Sequence, residues 1–167
     1  MAPLPDAASY PVVFDLRRQW PADWWIPVLP LIGVYVLIRS AAAGKARESR
    51  AYPFIRILFI GSAVFLSLCF AAGTTYVYTR LRGALEQGHA RWVEGTVTEF
   101  VPQDAWTKRP EHFVVVTPTV RYEYSYTANI GRGGFNGSSF HPGPLKDGTR
   151  VRIADVDGVI VVLEIAR

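Results

Sequence analysis

Residues 57–79 read ILFIGSAVFLSLCFAAGTTYVYT, twenty-three positions without a charge, held between Arg56 and Arg80. At about 1.5 Å of rise per residue this run is long enough to cross a hydrocarbon layer roughly 30 Å thick. A backbone surrounded by lipid must satisfy its own polar groups, so the segment is expected to be a transmembrane helix. Ala63, Ser67, Ala71 and Thr75 recur every four residues and line one side of it. Small side chains let a second backbone approach closely in lipid. Two occupants of that face stay open: a preceding apolar segment folded back as a hairpin, or another membrane protein, including a second copy. Cys69, the single cysteine, falls inside the run, which excludes a disulfide within the chain and reads as a small buried apolar side chain.

Upstream, residues 24–38 read WWIPVLPLIGVYVLI. With Arg39 snorkelling to the surface, Ala41 to Ala43 extend this core, and residues 22–42 are expected to be a first transmembrane helix. Pro27 and Pro30 each remove a backbone donor, so its first turn or two should be irregular. Trp20, Trp24 and Trp25 form an interfacial anchor at its start, because indole rings favour the headgroup layer. The apolar part begins more than twenty residues in, without a basic group at the extreme N-terminus, unlike a cleaved leader. Residues 43–56 form a basic loop. Arg39, Lys45, Arg47, Arg50 and Arg56 flank or occupy it against only Glu48, whereas Arg17, Arg18, Arg80 and Arg82 lie on the outer flanks. The positive-inside rule places the loop in the cytoplasm, with residues 1–21 and everything after the second helix on the other side, which in a bacterium is the periplasm or outer face.

Residues 80–91, RLRGALEQGHAR, read as a stalk: Leu81 and Leu85 share a helix face, while Gly83 and Gly88 weaken it. From Trp92 the period changes to two. Strands are expected at 92–101, 112–116, 119–127, 149–154 and 158–165, with a further one at 135–140. The cleanest alternation is TVRYEYSYT (119–127), with Tyr122, Tyr124 and Tyr126 on one side. Lys146-Asp147-Gly148 and Asp157-Gly158 read as turns. The whole is an α+β membrane protein. A two-helix transmembrane hairpin precedes a small extracytoplasmic β domain, residues 92–167, built as a barrel or sandwich of about six antiparallel strands.

The order Trp92-x-x-Gly95-Thr96-Val97, Pro118-x-Val120-x-Tyr122-x-Tyr124, Gly148-x-x-Val151-x-Ile153 and Leu163-Glu164 resembles a widespread bacterial membrane-protein family whose β domain has no assigned function. The resemblance covers about residues 90–165. It implies a small extracytoplasmic β domain beside one or two membrane helices, and it supplies no catalytic residues.

Chemistry is sparse. Residues 1–91 carry a net charge of +5 and residues 92–167 a net of −1, so the basic excess belongs to the membrane part and gives the β domain no bias toward nucleic acid. His89, His112 and His141 lack metal-ligand spacing. Ser138 or Ser139 with His141 lacks the spacing of a nucleophile elbow. The glycine run 131–134 lacks the ending of a phosphate loop and reads as a turn, and Asp155-x-Asp157-Gly158 lacks the remaining ligands of a calcium loop. No catalytic, cofactor or metal residue is assigned. Trp106, Tyr122, Tyr124 and Tyr126 are the candidate interaction surface, with the domain core as the other reading of the tyrosines. The expected function is a non-catalytic, membrane-anchored interaction module or accessory subunit. Its partners would be lipid and another membrane protein or a second copy. An envelope-ligand sensor is the alternative, and a hydrolase ranks last.

Overall fold

A computed structural model describes residues 10–19, 24–42, 52–102, 109–126, 133–135 and 144–166. The chain forms two compact units: Met1–Pro21 together with Val77–Arg167, and Ala22–Tyr76. The first holds a single antiparallel sheet. Its strands are β1 (Val12–Asp15), β2 (Arg91–Val101), β3 (Glu111–Val116), β4 (Arg121–Tyr126), β5 (Arg150–Val156) and β6 (Val159–Ile165), in the spatial order β1-β6-β5-β2-β3-β4. The sequence reading gave residues 1–21 no place in the sheet, yet β1 forms one of its edges. Of the strand expected at 135–140, Phe135 is described and lies outside the strands, and residues 136–140 lie outside the described residues.

The sheet curls strongly. β5 and β4 are separated by β2 and β3, three ladder steps or about 14 Å if the sheet were flat. Nevertheless the Tyr124 hydroxyl on β4 donates to Asp155 Oδ2 on β5 at 3.0 Å. The inner face therefore closes on itself around Val97, Phe113, Val115, Ile153, Ile160 and Leu163, all fully buried. The barrel expectation is corrected: β1 and β4 remain the two edges of an open sheet. β1 is four residues long and its pairing with β6 is irregular, so it offers little ladder for closure. Instead the Phe14 ring of β1 meets Phe135 edge-on at 5.6 Å. One sheet faced by a helix end also replaces the alternative of a two-sheet sandwich.

One irregularity redirects β2. Glu99 has φ 57°, and the β2–β3 register shifts between Thr98 and Val101. Such a bulge reverses the alternation beyond it. Phe100 turns to pack on the inner core and Val101 is exposed, the opposite of a continued period-two pattern from Val93 and Val97.

The outer face is covered at one end by a helix terminus. α2 (Tyr52–Glu86) is continuous, and within its last turns Leu81 and Leu85 are buried against Ala154, Val156, Val161 and Val162. Of the segment expected as a stalk, residues 80–86 are packed helix, with Leu81 and Leu85 on one face as their spacing suggests. An alanine-like side chain at Gly83 would meet only open space, so its intrinsic penalty of about 1 kcal/mol is what burial of the two leucines has to overcome. The Tyr78 hydroxyl donates to the carbonyls of Leu16 and Gln19, at 3.1 and 3.2 Å, and Arg80 donates to Asp157 at 2.8 Å.

The second unit contains α1 (Val28–Ala42) and the greater part of α2. Residues 24–27 are turns rather than helix, as the two prolines demand. Pro30 is tolerated because it falls among the first residues of α1, whose N–H groups have no helical acceptor. The fifteen residues of α1 span about 22 Å, less than a bilayer core, so the expectation of a full first span over 22–42 is not met by length alone. α2 is the one described helix long and apolar enough to cross a membrane. Phe54, Ile57, Phe65 and Leu68 on it are each more than 60 % exposed.

Candidate functional site

The side chains singled out from the sequence separate into three groups. Ala63 and Ser67 are buried within their unit, Ala71 is half-buried, and Thr75 is exposed. Trp24 and Trp25 are exposed, while Trp20 and Trp106 lie outside the described residues. The tyrosine row is not a free surface. Tyr124 is 2 % exposed, Tyr122 is half-buried, and of Tyr126 only the strand position is described. For Tyr122 and Tyr124 this favours the domain-core reading over an interaction surface: both lie on the inner face because their ladder partners Val115 and Phe113 do.

A polar network sits among these apolar residues. Arg91 opens β2 and pairs directly across the ladder with Asp155. Its Nε and Nη2 donate to the two carboxylate oxygens at 3.0 and 3.1 Å. The Tyr124 hydroxyl and the Gly158 amide supply two further donors, at 3.0 and 3.3 Å. Four donors on one carboxylate fill the sites its lone pairs offer, so nothing remains for a substrate proton. Arg91 also lies over the Tyr122 ring at 4.8 Å. The guanidinium is held further into its charged form by Asp155, and burial beside that carboxylate pushes the Tyr124 phenol upward. The arrangement is a clasp for the curled sheet. Glu111, 4 % exposed at the start of β3, is pushed upward by burial.

The outer face carries a cleft of about 410 Å³. Glu94, Thr96 and Thr98 of β2 form its floor, Arg150 of β5 stands on one side, and Pro118 of the β3–β4 turn on the other. Tyr10, buried just ahead of β1, closes one end and donates to Glu94 Oε1 at 3.1 Å. Burial first, and the Glu94 carboxylate second, raise the Tyr10 phenol above its usual range. Sequence reasoning missed this cleft because Tyr10 and Glu94 meet across 84 positions of chain, with no local pattern to announce the contact. Next to it, Arg152 lies over the exposed Trp92 ring at 4.8 Å and pairs with Glu164 at 3.7 Å.

Several residues that carry the family resemblance occupy structural positions, whereas Trp92, Pro118 and Val120 are exposed. A Cβ on Gly95 would run into the carbonyl oxygen of Val116, Val97, Val151 and Ile153 are fully buried, and Gly148 has φ 82° in the turn before β5. Among the described residues no three His, Cys, Asp or Glu side chains gather as a metal site. In comparisons with known proteins, no family model, no curated protein and no solved structure matches this chain.

Proposed function

We propose that this chain is a non-catalytic accessory subunit of a bacterial inner-membrane complex, anchored by two spans, with its sheet outside the cytoplasm and in contact with a protein partner. The observation that carries the anchoring is the pairing of β1 with β6. β1 precedes both helices and β2 to β6 follow them, yet all six strands share one sheet. Strands cannot be hydrogen-bonded through a bilayer, so both flanks of the helices share one side of it. A single crossing by α2 must then be undone by another crossing between Asp15 and Tyr52. α1 is the apolar helix in that interval. Its shortness is met by the turn ahead of it, by snorkelling of Arg39 and by local thinning of the bilayer. Burial of Ala63 and Ser67 within the unit that holds both helices supports their use in a hairpin rather than as an open docking face.

Charge supports the orientation. Arg17, Arg80 and Arg82, on the sheet side, are bonded to Asp15, Asp157 and Glu86. The loop side holds five basic residues against one acidic residue. Saturation of Asp155 by structural donors supports a non-catalytic role, and the exposed Trp92 beneath Arg152 supports a protein-contact role for the outer face.

Cysteine accessibility tests the topology. In a Cys69→Ser background, Arg18→Cys and Glu123→Cys should react with a membrane-impermeant maleimide in intact cells, and Lys45→Cys only after permeabilisation. Labelling of Lys45→Cys together with Glu123→Cys overturns the two-span reading. For the partner, purification in mild detergent should recover a defined complex that Trp92→Ala weakens. Consistent isolation of a lone monomer overturns the accessory-subunit reading.

A further inference from the structure

We infer that the outer-face cleft between Tyr10, Glu94 and Arg150 binds a small zwitterion, a free α-amino acid being the simplest, with its carboxylate on Arg150 and its ammonium on Glu94. The volume, about 410 Å³, falls in the range of small-molecule sites. The decisive feature is a pair of opposite charges that share the cleft without meeting. The ladder sets Thr96 opposite Arg150 and Glu94 opposite Arg152, which makes Glu94 and Arg150 diagonal neighbours on one face, about 7–8 Å apart at the backbone. No ion pair joins them, and the Arg150 guanidinium has no hydrogen-bond or ion-pair partner among the described residues. The cation directly opposite Glu94, Arg152, is taken up by Glu164 and by the Trp92 ring.

Glu94 is itself held in place. The Tyr10 hydroxyl donates to Oε1, which fixes the carboxylate and leaves Oε2 for a second donor. The raised phenol keeps Tyr10 protonated, and so a donor, throughout the ordinary pH range. A plain anion drawn to Arg150 would meet the repulsion of Glu94, and a plain cation drawn to Glu94 would meet that of Arg150. A molecule with both charges satisfies both. Its size is also set: ammonium and carboxylate oxygens about 3 Å apart, with a hydrogen bond of about 2.8 Å at each end, bridge about 8–9 Å. Glu94 and Arg150 reach into the cleft from backbone positions about 7–8 Å apart, on flexible side chains able to take up that span. Thr96, the cross-strand neighbour of Arg150, lines the same space, and Val116 and Pro118 give an apolar wall for a side chain. The site does not depend on how the chain sits in a membrane, so its failure and that of the two-span topology are separate results.

The test is equilibrium binding of radiolabelled alanine, glutamate and phenylalanine to the full chain in detergent, with propionate and ethylamine as competitors that each carry half of the charge pair. At least one amino acid should bind saturably, and neither half-molecule should displace it at equal concentration. Arg150→Ala and Glu94→Gln should each weaken binding at least tenfold. Both side chains are exposed, so thermal unfolding should be unchanged, and Arg121→Ala on the same face should bind as the parent does. Competition by propionate as strong as by the amino acid makes the cleft an anion site and overturns the zwitterion assignment. Unchanged binding in Arg150→Ala, or no saturable binding of any of the three at roughly 10 mM, overturns the site itself.

Discussion

At Tyr124 one hydroxyl holds the curl of the sheet by bridging strands that are not neighbours. Tyr124→Phe removes a hydrogen bond to a charged group and should lower unfolding stability by about 1–2 kcal/mol, read as a shift in denaturant midpoint in detergent. The pH dependence has a definite sign. Because the folded phenol is raised, the folded state keeps a proton that the unfolded chain has lost above about pH 10, so stability falls as pH rises past that value. Tyr124→Phe should flatten this alkaline fall. Glu111 acts likewise at lower pH: burial raises its carboxyl, so stability declines as pH climbs from about 4.3 through the folded value. Glu111→Gln should flatten that decline and raise the midpoint at pH 7. The side of the strand on which Tyr124 falls was legible from the alternation of residues 119–127. Its partner was not, because Asp155 comes from a strand 31 positions away and is brought near only by the curl.

At the scale of elements, the end of α2 and the central strand pair do most to define the domain. Leu81→Ala should destabilise it by about 2–4 kcal/mol, because that side chain is 5 % exposed between helix and sheet. Gly95→Ala should separate β2 from β3. The added methyl meets the Val116 carbonyl and a Val115 methyl rather than space, and a cost of about 1–3 kcal/mol follows. Thermal unfolding of both variants checks these values. Strands β2 to β6 were readable because each alternates or carries β-branched runs between turn residues, and the Asp157-Gly158 turn follows from residues that accept φ 52° and 78°. β1 was not readable. VVFD is four residues long, shows no clean alternation, and becomes a strand only through β6. The packed end of α2 was visible in the spacing of Leu81 and Leu85, but Gly83 argued locally against a helix that tertiary burial sustains.

Across the whole molecule, the helices interrupt a β domain instead of preceding it. Whether the sheet would close was illegible in sequence, since closure depends on register and curl rather than on the number of strands. The interruption has a practical outcome. The Gln19 carbonyl accepts from the Tyr78 hydroxyl at 3.2 Å, so the two ends of the sheet-bearing unit stand beside each other. Replacing residues 22–76 with a short Gly/Ser linker should give a detergent-free protein with a β circular-dichroism spectrum and one cooperative unfolding transition. Aggregation of that hybrid would show that the sheet needs the removed segment to fold. The pairing of Val12 with Glu164 also sets a timetable. At about 5–20 residues per second, a nascent chain makes β1 many seconds before its ladder partner β6 exists. On the proposed two-span topology, the early strand is exported and waits, unpaired, while the apolar helices pass to the translocon. On that same reading, membrane insertion is finished before the last strand can bring the first one home.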